Sequence, residues 1–127
     1  MPIFSKLNKK GKLEAVGSRF WIDCRNTASA ILFLLKHGVP GESYNIIGFD
    51  ELTNLEMAEK ISKTIGKKLI PKFVDFHAAR PGHDRRYALD GTKLKKMGWK
   101  PDIPFEKSLS QTVEWYLDPK NEKWLNG

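Results

Sequence analysis

The residues best suited to chemistry are concentrated in one run, Arg80-Pro81-Gly82-His83-Asp84-Arg85-Arg86-Tyr87, where three arginines and a histidine flank a turn set by proline and glycine. A guanidinium presents a planar fork of donors that matches phosphate oxygens in pairs, which a lysine ammonium does less specifically. The run can therefore surround a phosphate; an exposed turn with arginines paired to Asp84 and Asp90 is the competing reading. A further arginine, Arg19, stands in Ser18-Arg19-Phe20-Trp21-Ile22 just before an expected strand, and alone it specifies nothing. Metal chemistry has little to build on, because one cysteine, Cys24, and three scattered histidines cannot supply a tetrahedral ligand set.

The chain that must position these groups has 127 residues, enough for one ordinary domain. Its 22 Lys and Arg against 15 Asp and Glu give a net charge of +7, which favours polyanionic partners, either phosphate ligands or nucleic acid. The excess lies at 6–12, 60–72 and 80–100, while 42–56 is acidic. Lysines dispersed along helices read as solvated surface; arginines clustered in a loop do not. The longest apolar run, residues 30–35, falls far short of the roughly 20 residues that span a bilayer. A single cysteine forms no internal disulfide, and the lysine-rich start lacks the apolar stretch of a signal peptide, so a cytoplasmic setting without membrane contact is expected.

Hydrophobic spacing and punctuation predict alternating short strands and helices, with no internal repeat. Residues 3–7 read as the end of a helix or arm. A strand is expected over 20–24, then a helix capped by Asn26, with an apolar stripe of Ala28, Ile31, Leu32 and Leu35 and a stop at Gly38. Residues 43–47, rich in strand formers and closed by Gly48, predict a buried strand. Thr53-Asn54-Leu55-Glu56 has capping-box spacing and opens a helix ending at Gly66. Alternating Ile70, Val74 and Phe76 predict a half-buried strand over 68–76, near an edge because of Pro71. A loop at 78–84, an extended segment at 85–89, a short helix capped by Asp90 and ending at Gly98, and a helix opened by Pro104 with Phe105, Leu109, Val113 and Tyr116 inward complete the chain. The expected fold class is α/β: one short mixed sheet of three to four strands with about four helices, forming a single domain over 1–127 that ends in a polar tail at 118–127.

Five segments taken together carry a resemblance. Ser18 to Ile22, then Tyr44-Asn45-Ile46-Ile47-Gly48, then Arg80 to Asp90, then Leu94 to Pro101, and finally Thr112-Val113-Glu114-Trp115-Tyr116 follow in order the carboxy-terminal part of nucleotide-sugar 4,6-dehydratases, in particular the dTDP-glucose type. These belong to the extended short-chain dehydrogenase/reductase family. The resemblance covers nearly the whole chain, and the segment from Arg80 to Ala88 is its most specific part. It implies a small domain that folds over a sugar nucleotide, with Arg19 and Arg80 on the diphosphate, His83 beside it and Asn45 hydrogen-bonded to the nucleotide. NAD and the catalytic residues belong to the Rossmann half in that family. No GxxGxxG loop occurs in this sequence, so no catalytic or cofactor-binding residue is assigned and NAD is implied only for the full-length enzyme. A literal Tyr-x-x-x-Lys at Tyr116 and Lys120 is not the family's pair, because Asp118-Pro119 breaks the helix that would align them. Tyr116 reads as core.

The function expected is sugar-nucleotide binding, with a separate Rossmann-type chain as a further partner. Two alternatives are a basic nucleic-acid-binding module, favoured by charge and by Phe73, Phe76, Tyr87 and Trp99 near basic residues, and a ligand-free interaction domain of the same fold. If a catalytic half packs on this domain, Ile3, Phe4, Leu7 and Trp21 are the residues expected to be exposed without it, leading to self-association or to an arm folded back.

Overall fold

The computed structural model describes residues 2–11, 13–76 and 84–124. These are α/β and fall into two compact units, 1–21 with 50–89 and 22–49 with 90–127.

The first unit holds all the strands. β1 (Pro2–Leu7) is the middle of one sheet, antiparallel to β2 (Leu13–Ala15) and parallel to β5 (Lys72–Asp75). β3 (Ser18–Phe20) is the middle of another, antiparallel to β4 (Glu51–Thr53) and parallel to β6 (Arg86–Tyr87). The amino-terminal residues are thus a central strand and neither an arm nor a helix end. Ile3 is only 2% exposed, Ser5 is fully buried with its Oγ donating to the Val74 carbonyl at 3.1 Å, and Phe4 meets Phe76 edge to face at 6.1 Å. Flanking strands on both sides give β1 the partners that a sequence window of six residues cannot reveal. The side chain of Leu7 lies outside those described.

α2 (Asn54–Ile65) has the expected capping box: Glu56 N donates to Thr53 Oγ1 at 3.1 Å and Thr53 N donates to Glu56 Oε2 at 2.7 Å. Gly66 ends it with φ 71°, a left-handed conformation open to glycine at little cost. Met57 and Ala58 are its buried positions. The predicted strand over 68–76 shortens to β5; Ile70 is 77% exposed and only Phe76 is fully inside.

The second unit is helical among the described residues. α1 (Cys24–His37) starts where a strand was expected, and its cap is Asp23, whose Oδ1 accepts from Arg25 N at 2.7 Å. Asn26 is not the cap. It is buried inside the first turn, where Oδ1 accepts from Asp102 N and Ile103 N at 3.1 and 3.0 Å and Nδ2 donates to the Ile103 carbonyl at 2.9 Å. Gly38 ends the helix as predicted, donating to the Leu34 carbonyl. The inward face is not the expected stripe: Ala28, Ile31, Leu32 and Leu35 are exposed, Leu35 to 78%, whereas Ala30, Phe33 and Leu34 pack with Leu94, Trp99, Ile22 and Ile46. Both sets recur at i, i+3 and i+4, about 200° apart around the helix, so periodicity fits either.

Residues 43–47 form no strand. Their polar groups are taken by other partners: Tyr44 Oη accepts from Val39 N at 2.9 Å, and the Ser43 carbonyl accepts from Lys93 Nζ at 2.8 Å. α3 (Thr92–Lys96) follows Asp90, whose carboxylate accepts from Thr92 N, and α4 (Phe105–Leu117) follows Pro104. Leu109 and Val113 face inward, but Tyr116 is 57% exposed and is not core. α4 stops at Asp118, and a 3-10 helix (Pro119–Trp124) follows, so Tyr116 and Lys120 do not share a helix. No helix among the described residues is long and apolar enough to cross a membrane.

Candidate functional site

β3 is three residues long, and alternation along it divides its side chains between two faces. Ser18 and Phe20 share one face; Arg19 points to the other. In register, Arg19 lies between Leu52 of β4 and Tyr87 of β6. Its guanidinium carbon is 5.3 Å from the centroid of the Trp21 ring and 5.5 Å from that of Tyr87, so two aromatic faces flank one cation. Trp21 is itself fixed by a 3.3 Å hydrogen bond from Nε1 to the Leu52 carbonyl.

Arg19 lines a cavity of about 400 Å³ within the first unit. Its apolar walls come from Ile3 on β1, Met57, Ala58 and Ile61 on α2, and Phe76 just past β5, and its polar ones include Arg19, Asn54, Asp84 and Arg85. Gly17 shapes the rim: it has φ 100°, its carbonyl accepts from Asn54 N at 2.9 Å, and a Cβ there would stand 2.6 Å from Asn54 Nδ2. Arg85 lies with its guanidinium carbon 5.7 Å from the Phe76 ring, and its carbonyl accepts from Ser18 N at 3.0 Å.

Within this setting Arg19 Nε is buried and has no hydrogen-bond partner among the described residues. A charged donor removed from water without an acceptor costs one to several kcal/mol, so the position favours any ligand that brings an acceptor. A phosphate or a carboxylate suits the donor, since Nε and one terminal N–H of a guanidinium bind two oxygens side by side.

The opposite face of the same sheet carries an ion pair. Glu51 on β4 accepts from Arg86 on β6 at both oxygens, 2.7 Å to Nε and 2.6 Å to a terminal nitrogen, and from Ser18 Oγ at 2.5 Å. Hydrogen bonds from Arg86 and then Ser18 hold the Glu51 carboxyl down to about 2. Arg86 is therefore engaged in structure and does not face the cavity as a free phosphate ligand.

Of the other residues singled out in the sequence, Asn45 is exposed in the second unit, and its Nδ2 donates to the Asp90 carbonyl at 2.9 Å. Arg80 and His83 lie outside the described residues. Trp21, Tyr87 and Glu51 were not placed beside Arg19 from sequence. The spacing of Trp21 two residues after Arg19 on a strand was the available signal for the first; nothing local signals Glu51. No group of three or more metal-ligating side chains occurs among the described residues.

The family model described as GDP-mannose 4,6 dehydratase matches residues 5–112. The dTDP-glucose 4,6-dehydratase of Salmonella typhimurium is 38% identical over an alignment of 115 residues that covers 85% of this chain and 31% of the relative. Two solved structures superpose on nearly all of it. The dTDP-glucose 4,6-dehydratase of Bacillus anthracis in complex with NAD has a TM-score of 0.76 at 36% identity, covering 97% of this chain and 35% of that one. DesIV, the dTDP-glucose 4,6-dehydratase of Streptomyces venezuelae with NAD and TYD bound, has a TM-score of 0.77 at 31% identity, covering 98% and 35%. The chain spans about one third of the length of these relatives.

Proposed function

Because the chain belongs to the GDP-mannose 4,6-dehydratase family, we propose that it is the part of a nucleotide-sugar 4,6-dehydratase that binds the substrate's diphosphate, with Arg19 as an anion-binding residue. The observation that supports this most directly is the buried Arg19 Nε between Trp21 and Tyr87 on the cavity wall, without a hydrogen-bond partner among the described residues. The rings restrict the guanidinium to few orientations and lower the local dielectric, which strengthens its bond to an anion. Arg80 on the diphosphate, His83 beside it and Asn45 on the nucleotide extend the reading by sequence similarity. The preferred ligand is a dTDP-sugar, as the names of these relatives suggest.

Hydride chemistry requires a held nicotinamide, and the sequence offers no glycine-rich loop for its pyrophosphate. In this reading the chain by itself binds sugar nucleotide without turning it over. NAD and the catalytic groups come from the remaining two thirds of the fold, in the same or a separate polypeptide.

The test is titration of the purified chain with dTDP, followed by NMR. Weak binding is expected, in the high micromolar to millimolar range. A charge-assisted hydrogen bond contributes about 1.5 to 3 kcal/mol, so Arg19→Ala should weaken binding tenfold or more. Unchanged affinity in that variant, or shifts clustering away from Arg19, would refute the assignment.

A further inference from the structure

We propose that Glu51 is a positioning residue for the anion-binding arginine: by gripping Arg86 and Ser18 on one face of the sheet, it holds Tyr87 against Arg19 on the other. The β3–β6 ladder consists of only two residue pairs, Ser18 with Arg86 and Arg19 with Tyr87. A ladder so short is marginal by itself. Glu51 faces Phe20 in register and Arg86 faces Ser18, so the carboxylate and the guanidinium flank β3 diagonally on the side away from Arg19. The bidentate pair, with the Ser18 hydroxyl as a third donor, joins one residue from each of the three strands. Arg86 immediately precedes Tyr87, so fixing Arg86 on one face fixes where the Tyr87 ring emerges on the other. Glu51 does not line the cavity and acts only through Arg19 and its ring neighbour.

This proposal rests on Arg19 as the anion-binding residue, and its test separates the two claims. In the ligand-free chain, the NMR shift that the Trp21 and Tyr87 rings impose on the Arg19 Nε proton reports its placement; titration with inorganic pyrophosphate reports binding. Glu51→Gln keeps size and removes the charge, and should lose most of the ring-induced shift and about tenfold in pyrophosphate affinity. The exchanged pair E51R/R86E should recover part of both, which a general loss of stability would not. Should Glu51→Gln fail to fold, Arg86→Lys, which keeps the charge but loses the fork, should give a smaller change of the same sign. A folded Glu51→Gln or Arg86→Lys chain with the Arg19 shift intact overturns the proposal. If the shift collapses in Glu51→Gln while even the unaltered chain ignores pyrophosphate, positioning stands and the anion-binding reading falls.

Discussion

Replacing Asn26 with alanine should cost the chain far more than loss of a helix cap. Its carboxamide is buried and makes three hydrogen bonds to the backbone at 102–103, two as acceptor and one as donor. Asn26→Ala leaves two N–H groups and one carbonyl without these partners. At a net worth of about 1 kcal/mol per bond, and more for any group that water cannot reach, the loss is about 3 to 5 kcal/mol. A cap substitution would cost about 1 kcal/mol. The total stability of a domain this size is of order 5 to 15 kcal/mol, so the effect is a large fraction of it. Urea denaturation followed by tryptophan fluorescence measures it, with the midpoint falling by roughly 1 to 3 M at unchanged slope. A loss below about 1.5 kcal/mol would refute the reasoning, because it would mean that Asn26 acts at most as a cap and that the 102–103 turn holds itself.

Two further outcomes follow from the same bookkeeping of partners. Asp23 is held well below the usual carboxylate range chiefly by its hydrogen bond from Arg25, opposed by burial and aided by Ser108, and Glu51 is held down to about 2 by Arg86 and Ser18. Both carboxyls are depressed on folding, so their stabilisation is complete above the unfolded values of 3.8 and 4.5 and is lost as pH falls below them. Denaturation midpoints should therefore be flat from about pH 5 upward and drop between pH 4.5 and 2; Asp23→Asn should flatten part of the drop, and an undiminished slope in that variant would count against it. Gly17→Ala should destabilise the chain by about 1 kcal/mol or more and shrink the cavity beside Arg19, since φ 100° strains any side chain and the new Cβ would press on Asn54. Wild-type thermal stability and dTDP affinity in Gly17→Ala would show that the rim is not fixed as described.

Features settled within about four residues were legible in the sequence. The Thr53–Glu56 capping box, the left-handed stop at Gly66, the end of α1 at Gly38 and the interruption of α4 before Pro119 all depend on backbone groups that neighbouring side chains reach directly. Arg19 was legible as a candidate only through the family resemblance of Ser18 to Ile22, since an arginine beside a strand specifies nothing alone. What the tertiary structure decided were choices among partners distant in the chain. Residues 30–35 are apolar on every side, so only the packing of Leu94 and Trp99 against Ala30 selected the inward face of α1. Residues 43–47 have strand-forming side chains, yet a strand exists only where another backbone edge meets it, and here side chains met it first. Asn26 carries ordinary cap chemistry, but carbonyls and amides 76 and 77 residues away claimed it. The setting of Arg19 likewise depends on Tyr87 from another strand and on Glu51, 35 residues from Arg86 and 33 from Ser18. Local rules set the conformations each segment can adopt; which buried polar group finds which partner is a property of the assembled chain, because each pair must offset its own desolvation and only one arrangement satisfies them together.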